Sequence, residues 1–367
     1  MSEIEALVIL SSIPYLGPVK IRFLINTFGS ALKALDIDPK IIEEMPGFGK
    51  RISQGLHVWQ DDKSWQSNLD FAKKLGVKII SYTSPNYPKN LLEIDDYPLL
   101  LYTLGELKFD DQMSIAVIGT RQASIYGLEM AEQISSNLAE KGFTIISGLA
   151  RGIDTAAHLS ALKKGRTIAV IGSGLGNIYP SENNKLVEAI VNQGAGAVIS
   201  EFPMNTPPER QNFPRRNRIV SGMSLGTLLI EAPIKSGAMI TMEKALSQKK
   251  KLFAIPGRLD NENFKGNHLL IKKNMAKLIE SADDICADFE TFNFRKPVEQ
   301  TNIKKPLLSL DEQNLFDQMP NEEFSIDELV VHTKMAVTKL NVLLMGLMLK
   351  KAVKEYPGKI YKKMGKV

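Results

Sequence analysis

The 367-residue sequence predicts an α/β protein whose centre is a doubly wound sheet, with a helical module before it and a second helix-and-strand module after it. Three observations predict this. Short apolar runs rich in Val and Ile alternate with helical stretches from Val77 to Ile255, as expected of strands buried on both faces. Nearly every run hands over to Gly, Ser or Thr, the residues of tight strand-to-helix turns. The two ends of the chain lack that alternation, and a polar stretch sets off the second. The implied boundaries are residues 1–65 for the helical module, 66–288 for the sheet domain, 289–305 for a linker and 306–367 for the tail.

The first module reads as short helices joined by two similar turns, Ile13-Pro14-Tyr15-Leu16-Gly17-Pro18-Val19-Lys20 and Met45-Pro46-Gly47-Phe48-Gly49-Lys50-Arg51. Proline, glycine and then a basic residue opening the next helix has the look of a helix-hairpin-helix, whose turn can meet a DNA phosphate. The same residues read more simply as a helical module with two proline-glycine turns and no ligand, since such modules often keep the fold and lose the contact. Strands follow at Val77–Ile80, Leu99–Tyr102, Ser114–Ile118, Phe143–Ile146, Thr167–Ile171, Ala197–Ser200, Gly226–Ile230 and Lys251–Ile255, with a helix over about Leu128–Lys141. In a doubly wound sheet, ligands sit at the strands' carboxyl ends. In the tail, a helix start at Ser325-Ile326-Asp327-Glu328-Leu329, an apolar helix over Ala336–Leu349 and two strands around Pro357-Gly358 follow the order of a winged helix. Its lysines, from Lys350 to Lys366, suit either a phosphate-contacting wing or a solvated face on a protein-docking module.

Composition narrows the classes. A single cysteine, Cys286, excludes a disulfide framework and a cysteine metal cluster. The start Met1-Ser2-Glu3-Ile4-Glu5 lacks the features of a signal peptide, and no apolar run reaches the length of a membrane span, so a cytoplasmic protein without membrane contact is expected. The net charge of +5 is spread over both signs and does not by itself name a partner.

Two stretches carry chemistry. In Ser147-Gly148-Leu149-Ala150-Arg151-Gly152-Ile153-Asp154, strand, small-residue turn and helix N-terminus follow one another, a geometry that aims backbone N–H groups at an anion. The second, Asn212-Phe213-Pro214-Arg215-Arg216-Asn217-Arg218, reads as a loop between two strands with three arginines beside an aromatic ring. Arginine suits bidentate phosphate contacts, and a neighbouring Phe offers a platform for an unpaired base. The same loop could be salt-bridged to Glu201, Glu209 or Glu231. Arg121 and Arg151 fall on the same sheet edge, which should therefore carry a positive groove. Several classes find no support. The chain has no Gly-Lys-Ser/Thr phosphate loop, and Asn177 replaces the last glycine of a dinucleotide fingerprint in Gly172-Ser173-Gly174-Leu175-Gly176. No metal-ligand spacing and no nucleophile–base pair stand out, and His158 is expected to pack against a neighbouring loop.

Gly119-Thr120-Arg121, Ser147 to Asp154 with His158, Thr167 to Gly174, Tyr179-Pro180, Ser200-Glu201, Phe213 to Arg218, Glu231, Ser236-Gly237, Thr241, Pro256-Gly257 and Gly266-Asn267 stand in the order seen in the DNA-processing protein DprA (Smf) family, which the chain resembles from about Val77 to Asp288. Thr120 stands where Ser is usual, and Asn274-Met275-Ala276 replaces a more typical Gly-Ala. The resemblance implies an extended Rossmann-like sheet with a helix-hairpin-helix or SAM-like front and a winged-helix tail. It implies a cytosolic, non-catalytic mediator that binds incoming single-stranded DNA in natural transformation, loads RecA, displaces or bypasses single-strand-binding protein and dimerises through the sheet domain, with no metal or cofactor. The implied DNA-binding residues are Thr120, Arg121, Ser147, Gly148, Arg151, Phe213, Arg215, Arg216, Asn217 and Arg218, with Gly174, Asn177, Ser236 and Gly237. A rival from another class is a nucleotide-processing hydrolase, since Gly226-Thr227 and Glu231 faintly resemble the loop of phosphoribohydrolases, without its Pro-Gly-Gly portion.

Overall fold

The computed structural model describes residues 1–290, 308–356 and 358–364. The described chain forms two compact units, one within residues 1–296 and one within 297–367. The expected linker at 289–305 lies almost entirely outside the described residues.

Six helices open the first unit: α1 (Glu3–Ser12), α2 (Pro18–Phe28), α3 (Ala31–Leu35), α4 (Pro39–Glu44), α5 (Gly49–Val58) and α6 (Ser64–Lys74). Pro18 takes the first helical position, where its missing N–H costs nothing. Leu7, Ile9, Leu24 and Ile52 form a core that also takes in Leu99 and Leu100, so this module is seated on the sheet.

The sheet domain continues with β1 (Lys78–Ser81), β2 (Leu100–Gly105), β3 (Ser114–Ile118), α7 (Ile125–Glu140), β4 (Thr144–Ser147), α8 (Ile153–Ala161), β5 (Thr167–Val170), α9 (Asn184–Asn192), β6 (Gly196–Ser200), α10 (Asn212–Gly222), β7 (Gly226–Leu229), α11 (Gly237–Ser247), β8 (Lys251–Ala254), α12 (Lys265–Lys272), β9 (Lys277–Leu278) and α13 (Ala282–Cys286). The strand order is β1-β2-β6-β5-β4-β3-β7-β8-β9, parallel from β6 to β9 and closed on one side by antiparallel β2 and β1. Alternate residues serve opposite faces. Ile115 and Val117 of β3 pack with α7 and α8, whereas Ala116 and Ile118 join the core under α10 and α11. The chain leaves β3 toward β4, β5 and β6, then returns to pair β7 with the other side of β3, so the crevice of a doubly wound sheet falls at β3 and β7.

All eight expected strands are present, seven of them to within one residue at each end, while β2 runs three residues further, to Gly105. β9 was not expected. Its two residues are both exposed and too short to leave a periodic signal. The larger correction concerns Asn212 to Arg218, expected as a loop and found as the first two turns of α10. Pro214 is compatible with this because a proline in the first turn gives up no intrahelical bond.

The second unit comprises α14 (Leu310–Gln318), β10 (Phe324–Ser325), α15 (Ile326–Thr333), α16 (Val337–Leu349), β11 (Val353–Tyr356) and β12 (Ile360–Lys363), with the strands in the order β10-β12-β11. Capping boxes at Ser309 with Glu312 and at Ser325 with Glu328 start α14 and α15.

Candidate nucleic-acid interface

A cavity of about 800 Å³ opens at the carboxyl ends of the central strands. The turn after β3 contributes Thr120, Arg121 and Gln122, and the turn after β4 contributes Gly148, Ala150, Arg151 and Asp154. Tyr179 reaches it from the segment after β5. Pro208, Arg210, Phe213, Arg216 and Asn217 line it from α10 and the approach to it, and Ser236, Gly237 and Thr241 from the start of α11. Ser236 caps α11 by accepting from the Met239 N–H at 3.3 Å. The opening is thus framed by turns whose backbone is held by helix caps and strand ends.

Its exposed cations differ in how they are held. The Arg121 guanidinium lies 5.4 Å from the Phe213 ring centroid and has no carboxylate partner among the described residues. Tyr179 packs beside Phe213 with ring centroids 5.9 Å apart. Arg151 donates from Nε to Glu182 at 2.8 Å, and that contact holds its pKa above the ordinary value. Arg210, exposed on the rim, was not singled out from sequence. The signal available was a basic residue two places before Asn212 that faces the same opening.

Arg216 reaches the floor of the cavity only at its edge and is otherwise buried under it. It is 5% exposed and donates to the carbonyls of Gly148 and Val170, tying the ends of β4 and β5 to α10. Burial pushes its pKa down to about 10, opposed by neighbouring Asp154. A Cβ on Gly148 would stand 2.4 Å from that guanidinium, which is why this turn needs glycine there. Asp154 is buried too, and burial pushes its carboxyl up while Arg216 opposes the shift. Its Oδ2 accepts from the N–H groups of Gly148 at 3.1 Å and Ala150 at 3.3 Å. The anion expected at this turn is therefore the chain's own carboxylate. The turn is still shaped by glycine: Gly152 has φ +74, and a Cβ there would meet the Thr120 carbonyl at 2.5 Å.

Of the sequence-selected residues, the cavity gathers Thr120, Arg121, Gly148, Arg151, Phe213, Arg216, Asn217, Ser236 and Gly237. The others are placed elsewhere. Ser147 is buried and donates to Val117 O at 2.6 Å, pinning β4 to β3. Gly174 packs against the carbonyls of Pro203 and Met204, and Asn177 donates to Asn205 O at 2.8 Å, so both brace the segment after β6. Arg218 is buried in an ion pair with Glu201, with Asp96 at 3.4 Å, as the salt-bridged alternative anticipated. Arg215 points to the other side of α10, 5.0 Å from the Phe202 ring centroid. A helix turns successive side chains by about 100°, so four consecutive residues cannot share one face.

Two acid–base candidates are occupied structurally. Glu231 accepts from the Ser124 N–H and from its hydroxyl at 2.8 Å, which makes it part of the α7 start. His158, on α8, is fully buried against Thr167 of β5 rather than against a loop. Thr167 Oγ1 donates to Ile145 O at 2.7 Å and so accepts from His158 Nδ1 at 2.6 Å. Burial, reinforced by Arg216, pushes the histidine down to about 3, leaving it neutral. Among the described residues, no three His, Cys, Asp or Glu side chains converge to hold a metal, and no helix is long and apolar enough to cross a membrane.

Comparison with known proteins agrees with this arrangement. The chain is 42% identical to Smf of Escherichia coli over 229 residues, covering 62% of this chain and 61% of that protein, so it spans less than two thirds of that relative's length. It is 31% identical to Smf of Synechocystis over 388 residues, covering 96% and 97% of the two chains. The X-ray structure of DNA processing protein A from Streptococcus pneumoniae superposes with a TM-score of 0.67 at 31% identity, covering 78% of this chain and 98% of that one. A structure of the Helicobacter pylori protein, which addresses its single-stranded DNA binding mode, gives 0.53 at 29% identity over 59% of this chain and 98% of its own. The family model for DNA recombination-mediator protein A matches residues 78–290, more than half of the sequence and the whole of the sheet that frames the cavity, and the chain belongs to that family.

Proposed function

We propose that this protein binds single-stranded DNA in the cavity at the sheet edge and acts, without catalysis, as a recombination mediator in natural transformation. The observation that carries the reading is Arg121 lying over Phe213 at the mouth of an 800 Å³ opening, with Tyr179 beside the ring. Phosphates would meet Arg121, Arg151 and Arg210, and a splayed base would stack on the aromatic pair. Arg216 and Asp154 would act from below by holding the turns in register.

In this reading the bound strand is handed to RecA while single-strand-binding protein is displaced. The protein works in the cytoplasm as a homodimer joined through the extended Rossmann-like domain. The helix-hairpin-helix front and the winged-helix tail accompany the sheet domain as binding or docking modules. The hydrolase reading loses its acid, because Glu231 is engaged in holding the start of α7.

The test is binding of labelled oligothymidine, single-stranded against duplex, across a salt series, with Arg121→Ala and Phe213→Ala beside wild type. Each variant should weaken single-strand binding about tenfold, the worth of one stacked base. Arg121→Ala should also lower the salt slope by about one. Unchanged binding in both variants would move the DNA site away from this cavity. Release of free base from a nucleoside monophosphate would revive the hydrolase.

A further inference from the structure

We propose that a strand held in the cavity continues onto a second binding strip on the N-terminal helical module, formed by Tyr15, Phe23, Lys20 and Arg51. The inference rests on the reading of the cavity as a single-strand site. Tyr15 is 64% exposed and Phe23 is 51% exposed, both unusual for rings on so small a module. Each ring has a cation beside it or beside the ring it packs on. The Arg51 guanidinium lies 5.1 Å from the Tyr15 ring centroid and donates to its hydroxyl at 2.8 Å. The Phe23 and Phe48 centroids are 5.7 Å apart, and Lys20 Nζ stands 5.8 Å from Phe48. Tyr15 has φ +66, so the ring is carried on a backbone conformation that non-glycine residues rarely hold.

Exposed rings interleaved with cations suit an unpaired polyanion, because bases stack on aromatic faces and on guanidinium planes while phosphates meet the charges. The acidic groups nearest in sequence are Glu43 and Glu44, at the end of α4, before the Met45–Phe48 turn. The N-terminal module also approaches the far side of α10. Arg215 lines a cleft of about 60 Å³ together with Leu16, Gly17 and Pro18, the residues that follow Tyr15, and with Glu201, whose carboxylate is engaged by Arg218. A strand leaving Phe213 would have to round α10 to meet Arg215 and then the turn that carries Tyr15. By contrast, the exposed stripe Val342, Met345 and Leu349 on α16 is purely apolar and offers a phosphate nothing.

The experiment compares oligothymidines of about 4 and about 16 nucleotides, lengths that bracket the site sizes of single-strand-binding folds. Wild type is set beside Tyr15→Ala, Phe23→Ala, Arg51→Glu and the cavity variant Arg121→Ala, with duplex of the longer length as control. Both rings are exposed, so their loss should leave the fold intact, which the thermal transition checks. The proposal expects wild type to prefer the longer strand, and each N-terminal variant to lose about tenfold on that strand alone. Equal binding of the longer strand by wild type and the N-terminal variants overturns the proposal while Arg121→Ala still registers the cavity. Loss confined to duplex also overturns it. If Arg121→Ala instead binds both lengths like wild type, the cavity reading itself fails, a separate result.

Discussion

Arg121, Arg216 and Arg218 are chemically identical side chains with three different positions. Arg121 is exposed over an aromatic ring, Arg216 is buried against two carbonyls, and Arg218 is buried against Glu201. Removing Arg216 takes away donors to Gly148 and Val170 and leaves Asp154 without its neighbouring cation. Arg216→Ala should therefore lower unfolding stability by about 3 kcal/mol, measurable by urea denaturation, and any loss of DNA binding would come with it. Arg218→Ala should be destabilising as well, yet the folded fraction should bind oligothymidine like wild type. His158 gives the pH dependence its sign. Its folded pKa, about 3, lies below the unfolded value of about 6.5. The buried neutral ring thus contributes stability that is fully present above pH ~6.5 and is lost as pH falls toward 3, at about 1.4 kcal/mol per pH unit. In His158→Gln the stability curve between pH ~6.5 and ~5 should be flatter by that slope.

Among the elements, the turn after β4 and the start of α7 carry the most constraint. A Cβ at Gly127 would fall 1.9 Å from the Glu231 carboxylate that holds α7 in place, and one at Gly152 would add a clash to a positive φ. Gly152→Ala should cost more than about 1 kcal/mol. It should also weaken single-strand binding by displacing Thr120 and Arg121, as thermal melting and titration of the same sample would show. These elements also mark where sequence reasoning stopped. The strand β4, its turn and helix α8 were legible because period and composition are local properties. That Asp154 fills the turn was not legible, although Asp154 stood inside the motif. A carboxylate six residues from Gly148 returns to its N–H only once the helix is docked. The arginine segment shows the same limit: its residue types pointed to DNA, while its helical phase set which of them faces the cavity.

For the molecule as a whole, the separation into two units has a consequence for binding. The second unit buries Leu340, Leu344 and Leu347 of α16 in its own core and presents Val342, Met345 and Leu349 outward. An exposed apolar stripe of this kind is poorly matched to a polar DNA groove. A chain ending at Glu290 should therefore keep its cooperative melting transition and bind oligothymidine as tightly as the full chain; a tenfold loss would bring the tail into the site.

What the amino-acid order settled is the part of the protein that depends on neighbours along the chain. Runs of Val and Ile placed the strands, glycine and serine placed the turns, and the order of motifs from Gly119 to Asn267 pointed to the family. Packing settled the partners. It put Arg216 beneath the cavity and Arg121 at its mouth, gave Glu231 to α7 and Glu201 to Arg218, and brought Tyr15 together with Arg51 across 36 residues. Hydrogen bonds and ion pairs act over about 3 Å, and which groups come that close is fixed by how elements distant in sequence pack together.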